Sequence, residues 1–300
     1  MQHRETHEAH SPRGDVVITG ASSGIGHASA IALDRAGFRV FAGIRSPDDA
    51  AALQRVASPL LTPLTIDVTD ADSIARAREV VARSVGAAGL AGLVNNAGIG
   101  IAGPLECMSL DDVRAHFAVN TIGPLATTQA FLPLIRQARG RIVNIGSVGG
   151  RITMPFGGAL CGSKHAVEAF NDALRMELYP FGIHVCLIAP ASILTPAVDK
   201  LVQRGESALE QLPPDGRRWY GDSFRRFLRI SAAREREGSP PDVVAGAVLR
   251  ALTARAPRAR YPVGKDAALL TLLPRVVPDR LLDALRLRLF QLPRAFDSRS

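Results

Sequence analysis

The chain has few of the residues that build disulfide frameworks, metal centres or membrane spans. Its 300 residues include three cysteines, Cys107, Cys161 and Cys186, and no CxxC pair. This usage argues against a structural metal site and is typical of a reducing compartment. No long apolar signal segment opens the chain, and the longest late apolar run, 267–273, is far below the roughly 20 residues of a membrane-spanning helix. We therefore expect a soluble, cytoplasmic protein.

Aromatic residues are also scarce, at 5% of the chain with one tryptophan. The formal net charge is nevertheless +8, and arginine supplies almost all of the excess. Nucleic-acid binding needs basic residues gathered on one face with aromatic side chains between them. The composition therefore predicts no nucleic-acid partner. A phosphate-bearing small ligand and a solvated surface account for the charge more simply.

The chain does have a regular alternation of two patterns. Short β-branched runs lie at 15–19, 39–43, 63–66, 92–95, 141–145, 184–189 and 260–263. Helix-length amphipathic segments lie at 24–37, 70–84, 109–138 and 164–179. Near-continuous apolar strands joined by helical crossovers predict a parallel sheet covered on both faces. We expect an α/β fold, a doubly wound Rossmann-type parallel sheet of about seven strands with helices on both faces in a single domain.

Three segments fall outside this alternation. Residues 1–13 predict a disordered tail before a domain at 14–300. Residues 195–258 carry two proline pairs and the only tryptophan, which predicts an irregular substrate-loop insert at about 195–240 or a plain surface excursion. Residues 278–296 carry leucines at helical spacing beside arginines. This pattern favours a C-terminal helical tail docked on the body over one that lies on an acidic membrane surface or borders an apolar pocket.

A glycine-rich stretch, "TGASSGIG" at 19–26, follows the first strand and opens the first helix. Glycines at 20, 24 and 26 permit a tight turn and close approach of the backbone to a ligand. The start of a helix presents unpaired N–H groups, which favour a pyrophosphate. In this strand–turn–helix context the stretch predicts a dinucleotide cradle rather than a merely tight turn.

Further motifs follow in a specific order: "NNAG" (95–98), "VN" ending at Asn120, "NIGSVGG" (144–150) and "SKHAVEAF" (163–170). Together with the glycine-rich stretch they resemble the short-chain dehydrogenase/reductase family over about 14–200. The stretches "GSVGGRITMPF" and "ARYPVGKDAALL" resemble the branch that contains 17β-hydroxysteroid and retinol dehydrogenases. The resemblance implies an oxidoreductase with a nicotinamide cofactor that forms a homodimer or homotetramer through its long central helices.

The resemblance also implies a set of cofactor-binding residues along the carboxyl ends of the strands. They are Gly20, Ser22, Ser23, Gly24, Ile25, Gly26, Arg45, Asp67, Val68, Asn95, Ala97, Gly98, Lys164, Pro190, Ile193 and Thr195. Ala191 stands where the family usually has glycine. Ile44 stands where an NAD-preferring fold places an acid, and Arg45 follows it. A guanidinium suits a ribose 2′-phosphate, so we predict NADP(H) in preference to NAD(H), unless Arg45 is simply a surface charge.

The family's catalytic positions map onto Ser147, Asn120 and Lys164. The resemblance implies that the serine polarises the substrate carbonyl, the asparagine positions a water, and the lysine holds the nicotinamide ribose and lowers the pKa of a tyrosine. The tyrosine position, four residues before Lys164 and 13 after Ser147, is occupied by Leu160. Leucine has no titratable group, and losing a positioned general acid costs about 10²–10⁴ in rate.

This substitution leaves several interpretations open. Another group supplies the proton, with Tyr220 as the candidate, or the acceptor is an iminium or enone that needs no acid at oxygen. Alternatively, the pocket runs a cyclisation or isomerisation, the chain is a silent nucleotide-binding homologue, or Leu160 is an introduced substitution. Cys161 and His165 neighbour the motif, but adjacent helical residues do not share a face. We expect both to be packing or surface residues.

Our leading hypothesis is an NADP(H)-dependent short-chain oxidoreductase acting on a small hydrophobic carbonyl, imine or enone. The alternative is a nucleotide-binding pseudoenzyme or a non-redox scaffold.

Overall fold

A computed structural model describes residues 12–293. In this range the chain forms one seven-stranded sheet in the order β3-β2-β1-β4-β5-β6-β7, and every strand pair is parallel. The strands are β1 Asp15–Ile18, β2 Arg39–Ile44, β3 Leu61–Thr65, β4 Gly92–Asn95, β5 Arg141–Ile145, β6 His184–Pro190 and β7 Arg260–Val263. The predicted doubly wound Rossmann-type α/β fold is confirmed.

Helices cover both faces of the sheet. They are α1 Gly24–Arg35, α2 Pro47–Gln54, α3 Ala71–Val85, α4 Leu110–Phe117, α5 Gly123–Ala138, α6 Gly158–Glu177, α7 Ala197–Glu210, α8 Pro214–Arg236, α9 Asp242–Thr253, α10 Ala267–Val276 and α11 Asp279–Leu289. Successive side chains of a strand point to opposite faces, so Val16 and Ile18 pack into one core cluster and Val17 into the other. The first cluster lies beneath α1 and α9, and the second beneath α3 and α5. Burial on both faces is why the central strands β1, β2, β4, β5 and β6 are largely apolar, whereas the edge strands β3 and β7 are partly exposed.

The long amphipathic segment predicted at 109–138 is divided. Between α4 and α5 lies one π-helical turn, Ala118–Ile122, and Asn120 lies within it. Such turns insert an extra residue into the helical ladder and occur often at functional sites. Helix α2 was not part of the sequence prediction. Helix α6 begins at Gly158, so Leu160 and Lys164 lie on successive turns of one helix.

The prediction of an irregular insert was wrong. Residues 197–236 form helices α7 and α8, which pack against each other and which we call the helical insert. The two proline pairs, at 213–214 and 240–241, stand at the N-terminal ends of α8 and α9. Proline is well tolerated there because the first helical residues have no intrahelical acceptor for their N–H groups. The same prolines that suggested irregular structure therefore begin two helices.

The C-terminal segment forms α10 and α11 after the last strand. Its buried anchors are Leu282 of α11 and Phe290, the residue that follows α11, at 3% and 2% exposure. The centroid of the Phe290 ring lies 5.1 Å from that of Phe227 in the helical insert.

Two predicted segments fall partly outside the described residues. Most of the tail predicted at 1–13 lies in residues 1–11, which are not described. The segment predicted at 278–296 ends beyond residue 293, the last described residue. No helix within residues 12–293 is long and apolar enough to cross a membrane.

Candidate functional site

The glycine-rich turn after β1 is packed too closely to accept side chains. A Cβ placed on Gly26 would lie 2.1 Å from the carbonyl oxygen of Gly20. Gly20 and Gly24 have φ of +67° and +56°, a region that L side chains rarely adopt. Thr195, from the loop after β6, lies 3.2 Å from the Cβ position of Gly24. The turn therefore has the close-packed form that a dinucleotide cradle requires.

Two residues that sequence reasoning missed lock this turn to β4. The side-chain amide of Asn96 donates to the carbonyl oxygens of Thr19 and Gly20, both at 2.9 Å. In return, the Thr19 hydroxyl accepts from the backbone N–H groups of Asn96 and Ala97, at 3.0 and 3.1 Å. The motif "NNAG" was the available signal, but it does not say which asparagine faces the turn. Asn96 does.

Asn95, its neighbour, points into the sheet. Its side-chain amide donates to Thr128 and to Asn144, both at 2.9 Å, and Asn144 donates in turn to Asn171. Asn95 and Asn144 are buried, at 2% and 5% exposure. This chain of amides joins β4, β5, α5 and α6 beneath the cradle, so the Asn95 side chain supports the cradle from below.

The remaining predicted cofactor residues divide between the crevice and the core. Ser22, Ser23 and Arg45 are exposed at the edge of the cradle, and Ser23 precedes α1 without a side-chain capping bond. Ile44, Val68, Pro190 and Ile193 are buried, while Ile25 is half-buried and packs against the core cluster under α1. The N–H of Ile193 donates to the carboxylate of Glu235 at 3.2 Å. That contact ties the end of α8 to the loop after β6.

Asp67 follows the end of β3 by two residues and lies close enough to Arg45 to feel its charge. The hydroxyl and the N–H of Thr69 donate to its carboxylate, at 2.7 and 2.9 Å. These bonds, with a smaller contribution from the positive charge of Arg45, hold the pKa of Asp67 below its usual range. The carboxylate is therefore ionised and already partnered.

Two of the predicted catalytic residues, Asn120 and Lys164, meet at Gly98, in the loop after β4. The Lys164 ammonium donates to the carbonyl oxygen of Ile145 at 2.9 Å and lies 3.9 Å from the Cβ position of Gly98. The Asn120 side-chain oxygen lies 3.3 Å from the same position. Burial lowers the pKa of Lys164 to about 8, because an ammonium is poorly solvated there. Gly98, Asn120 and Lys164 thus form one wall.

The Asn120 side chain is fully engaged. Its oxygen accepts from the N–H of Ile99 at 2.8 Å, and its amide donates to the carbonyl oxygen of Ile99 at 2.9 Å and to the Ser163 hydroxyl at 3.1 Å. The asparagine therefore fixes the loop after β4 against α6.

Ser147 follows β5 and caps the turn Val148–Gly150. Its hydroxyl oxygen accepts from the N–H of Gly149 at 2.9 Å. A hydroxyl that accepts through one lone pair keeps its own proton available for donation. Leu160 lies on the first turn of α6, half-buried, with Cδ2 3.9 Å from the Cβ position of Gly100. It brings only hydrocarbon to the loop after β4.

Comparison with known proteins identifies the architecture. The family model for short chain dehydrogenase matches residues 15–205. The chain belongs to the short-chain dehydrogenase family. It is 41% identical to mouse (Mus musculus) retinol dehydrogenase 5 over 90% of this chain and 86% of the relative, and 42% identical to the human (Homo sapiens) protein of that name with the same coverage. Human short-chain dehydrogenase/reductase family 9C member 7 is 38% identical over 94% of this chain and 91% of its own.

Solved structures of the family agree with this assignment. A short-chain dehydrogenase from Streptomyces avermitilis matches with a TM-score of 0.72 at 26% identity and covers 94% of this chain and 96% of that one. A short-chain dehydrogenase from Burkholderia cenocepacia J2315 in complex with NADP matches with a TM-score of 0.69 at 25% identity, over 93% and 98%. The protein is thus a short-chain oxidoreductase similar to retinol dehydrogenases, with a fold that binds NAD or NADP.

The three tyrosines of this short-chain dehydrogenase all lie within the described residues. Tyr179 is exposed, and the hydroxyl of Tyr261 accepts from the N–H of Arg258 at 2.9 Å. The Tyr220 hydroxyl donates to the carboxylate of Glu106, which raises the pKa of the phenol. A phenol that exchanges a proton at neutral pH needs a lowered pKa. The surroundings of Tyr220 raise its pKa instead.

Cys161 and His165 lie outside the wall. Cys161 is fully buried, with its sulfur 3.4 Å from the Cβ position of Gly149, and burial raises the pKa of its thiol. His165 is exposed, and its ring bonds the carbonyl oxygen of Cys161.

A charged cluster that sequence reasoning missed braces α6, the helix that carries Lys164. Glu168, four residues after Lys164, lies against Arg151 at 2.6 Å and Arg260 at 2.8 Å. Arg260 also binds Asp172 at 2.5 Å. Arg151 directly follows the turn that Ser147 caps, and Arg260 belongs to β7. This clamp, Arg151–Glu168–Arg260–Asp172, joins three segments far apart in the sequence.

Proposed function

We propose that this chain is an NADP(H)-dependent oxidoreductase for a hydrophobic carbonyl, imine or enone, in which Leu160 occupies the family's tyrosine position. One relationship carries the proposal. Leu160 precedes Lys164 by one turn of α6, and Lys164 turns its ammonium to the wall formed with Gly98 and Asn120. Residues four apart on a helix share a face, so the leucine lies where a proton-transferring side chain would be expected.

The cofactor assignment is supported by the cradle and by the end of β2. The cradle has no room for Cβ atoms at Gly20 and Gly26, and the amides at the start of α1 have no acceptor within the helix. The exposed guanidinium of Arg45 follows Ile44, and an arginine matches a 2′-phosphate better than a free hydroxyl. The bound cofactor supplies a hydride at the nicotinamide ring. Orientation and proton transfer are left to the protein.

Ser147, Lys164 and Leu160 contribute to catalysis in different ways. Ser147 donates its hydroxyl hydrogen to a developing negative charge on oxygen, in the manner of an oxyanion-hole donor. Lys164 adds a positive charge close by. Leu160 contributes shape but neither a proton nor a hydrogen bond, so reduction of a simple ketone loses the factor of about 10²–10⁴ that a positioned acid supplies. An acceptor that is already cationic, or whose charge spreads along a conjugated system, suffers least from this loss.

The surroundings of Leu160 support an apolar substrate. The side chain of Leu105 lies within 3.0 Å of the Cβ position of Gly158, and the methyl group of Met108 lies 3.3 Å from that of Gly103. Phe156 stands four residues before Leu160 and packs against Phe224 with centroids 5.2 Å apart. Sites for small ligands are commonly built from such apolar surfaces with a few polar groups.

The experiment measures NADPH oxidation with simple ketones, conjugated enones and cyclic iminium salts, using the parent, Leu160→Tyr and Leu160→Phe. The phenylalanine variant supplies the ring without the hydroxyl. We expect the parent to reduce enones or iminium salts, and Leu160→Tyr alone to gain ketone reduction by about 10²–10⁴. Equal gains in ketone reduction for Leu160→Tyr and Leu160→Phe would show that the shape of the ring causes the effect. They would contradict the role proposed for proton transfer at position 160.

A nucleotide-binding protein without redox activity is the second candidate, and Leu160 is the observation that favours it. This second candidate is supported if the parent binds NADPH but reduces no acceptor, while Leu160→Tyr reduces ketones. If the parent binds neither dinucleotide, both candidates fail.

We also propose that the chain acts in the cytoplasm as a homodimer or homotetramer. The support is the partly exposed apolar surface of the two central helices, where Phe170 of α6 is 37% exposed close to Leu125 of α5. Light scattering on the purified chain and on Phe170→Glu tests the assembly. A monomeric parent contradicts it.

A further inference from the structure

The two ends of helix α8 contact different parts of the candidate site. Near its N-terminal end, the Tyr220 hydroxyl donates to the carboxylate of Glu106, in the loop after β4. On its last turn, the carboxylate of Glu235 accepts from the N–H of Ile193, in the loop after β6, at 3.2 Å. The loop after β6 also carries Thr195, which lies against the glycine-rich turn. One helix therefore connects the two loops that flank the crevice.

Residues just beyond α8 pack against the loop after β6 as well. Ile193 and Ser239 form an isolated parallel bridge. The N–H of Leu194 donates to the carbonyl oxygen of Ser239, and the N–H of Ser239 donates to that of Ser192, both at 3.0 Å. A Cβ on Gly238 would lie 2.5 Å from the same Ser192 oxygen. These contacts hold the point at which the chain leaves α8, but a bridge at one residue does not set the direction of the helix.

Glu235 sets that direction, because its side chain projects from the helix itself. Besides the N–H of Ile193, its carboxylate is hydrogen-bonded to the side chain of Ser192. Burial raises the pKa of this carboxyl group, and the bonds to Ile193 and Ser192, with the charge of Arg234, oppose the rise. A carboxylate withdrawn from water depends on such donors, and its hydrogen bonds are stronger than neutral ones.

The length of α8 amplifies any change at this contact. Glu235 and Tyr220 are 15 positions apart, which is about 22 Å of helix at ~1.5 Å per residue. A tilt of about 5° at Glu235 therefore moves Tyr220 by about 2 Å, which is enough to break a hydrogen bond. Between them, Phe224 and Phe227 pack against Phe156 before α6, with centroids 5.2 and 5.5 Å apart. The fit of α8 on these segments thus depends on how its last turn is held.

We propose that Glu235 is a positioning residue that couples the loop after β6 to α8, so that a dinucleotide in the cradle also holds α8 on the loop after β4. Thr195 lies 3.2 Å from the Cβ position of Gly24, so a ligand that fills the cradle restrains this loop. Glu235 passes the restraint to α8. The coupling is reciprocal, because a well-seated α8 strengthens dinucleotide binding by the same factor. The inference rests on the dinucleotide binding of the proposed function, but not on the chemistry at Leu160.

The test uses Trp219, the only tryptophan of the chain, which lies on α8 and is 43% exposed. Acrylamide quenching of its fluorescence measures how firmly α8 is held. Quenching is compared without and with saturating NADP⁺ or NAD⁺, whichever the parent binds more tightly. Neither oxidised dinucleotide absorbs light at the wavelengths at which tryptophan emits. Calorimetry measures the affinity of each protein for the same dinucleotide.

The variants separate the hydrogen bonds of Glu235 from its bulk. Glu235→Met keeps the length of the side chain but removes the acceptor. Glu235→Gln keeps an amide oxygen that accepts from an N–H or a hydroxyl. Glu237→Met is the matched control, because it removes an exposed carboxylate two residues further along the chain. Circular dichroism verifies that each variant is folded.

We expect the dinucleotide to reduce quenching in the parent, in Glu235→Gln and in Glu237→Met. Glu235→Met should bind the dinucleotide about tenfold more weakly, the value of one hydrogen bond to a charged group. Once saturated, it should show the same quenching as without dinucleotide. A general loss of stability would not separate saturated binding from the response of Trp219, so this separation is specific to the coupling.

Three results would overturn the proposal. Saturating dinucleotide leaves quenching unchanged in the parent, it reduces quenching in Glu235→Met as much as in the parent, or Glu235→Gln behaves like Glu235→Met. The first result decides the matter even if Glu235→Met does not fold. In all three cases the parent still binds the dinucleotide, so the proposed function stands. A parent that binds neither dinucleotide removes both the proposed function and this inference.

Discussion

The guanidinium of Arg151 lies 2.6 Å from the carboxylate of Glu168 and so joins the turn of Ser147 to the helix of Lys164. Glu168 is 5% exposed and also binds Arg260 of β7. A carboxylate so placed carries two charge-assisted hydrogen bonds, which are stronger than neutral ones. Glu168 thus links the turn of Ser147 to α6 and β7.

Replacing Glu168 by glutamine should therefore destabilise the fold. The change removes the counter-charge of Arg151 and one of the two carboxylates that bind Arg260, and we expect a loss of about 3 kcal/mol in the free energy of unfolding. Urea denaturation measures it. The matched control is Asp222→Asn, which removes an exposed pair with Arg225 and should cause no measurable change. Equal stability of Glu168→Gln and the parent would show that the clamp contributes nothing.

Gly26→Ala should abolish dinucleotide binding. Its Cβ would lie 2.1 Å from the Gly20 oxygen and 2.4 Å from the Asn96 amide nitrogen, so the turn must open. Gly246→Ala is the control, because it also lies inside a helix but meets only the flexible end of Arg250 at 3.4 Å. Calorimetry with NADPH should detect no binding to the first variant and parental binding to the second. Circular dichroism verifies that both are folded, and undiminished affinity of a folded Gly26→Ala contradicts the cradle.

Arg45→Gln should change the preference between the two cofactors. If the guanidinium binds a 2′-phosphate, its loss should weaken NADPH binding by about tenfold, the value of one charge-assisted hydrogen bond, and leave NADH binding unchanged. Arg55→Gln, which removes an exposed arginine of the next helical segment, should alter neither affinity. A parallel decrease for both cofactors in Arg45→Gln would instead indicate a general electrostatic effect.

Lys164 should make the stability of the free protein depend on alkaline pH. Burial lowers its pKa from 10.5 to about 8, so between these values the unfolded chain binds more protons than the folded one. The contribution of Lys164 to stability therefore rises as pH increases from about 8 to about 10.5, by up to an amount on the order of 3 kcal/mol. Burial raises the pKa of the Cys186 thiol to about 11, which acts in the opposite sense over much of this range, so denaturation of each variant is compared with that of the parent. From pH 8 to pH 10.5 the stability of Lys164→Met should fall relative to that of the parent, whereas Lys200→Met, whose lysine is exposed, should follow the parent. The same pH dependence in all three proteins rules out the buried ammonium.

The strands and the glycine-rich turn could be predicted from the sequence because both depend on interactions between residues close together in the chain. A parallel strand buried on both faces needs a nearly continuous apolar run, and β4 and β5 begin and end where the runs do. The cradle needs glycine at fixed positions because no other residue fits. The proline pairs were misread because proline both ends regular structure and begins helices, and only the following residues' packing decides between these roles.

The sequence by itself therefore determined the positions of the seven strands along the chain, the position of the glycine-rich turn and the presence of a leucine four residues before Lys164. Only the tertiary structure decided that Asn96 rather than Asn95 closes the cradle, that Glu168 meets Arg260 across 92 positions of chain, and which leucines of the last helices face outward. The physical reason is that periodicity and steric limits act between neighbours in the chain. Partners in a hydrogen bond, and the face a helix buries, are chosen by segments that folding brings together from a distance.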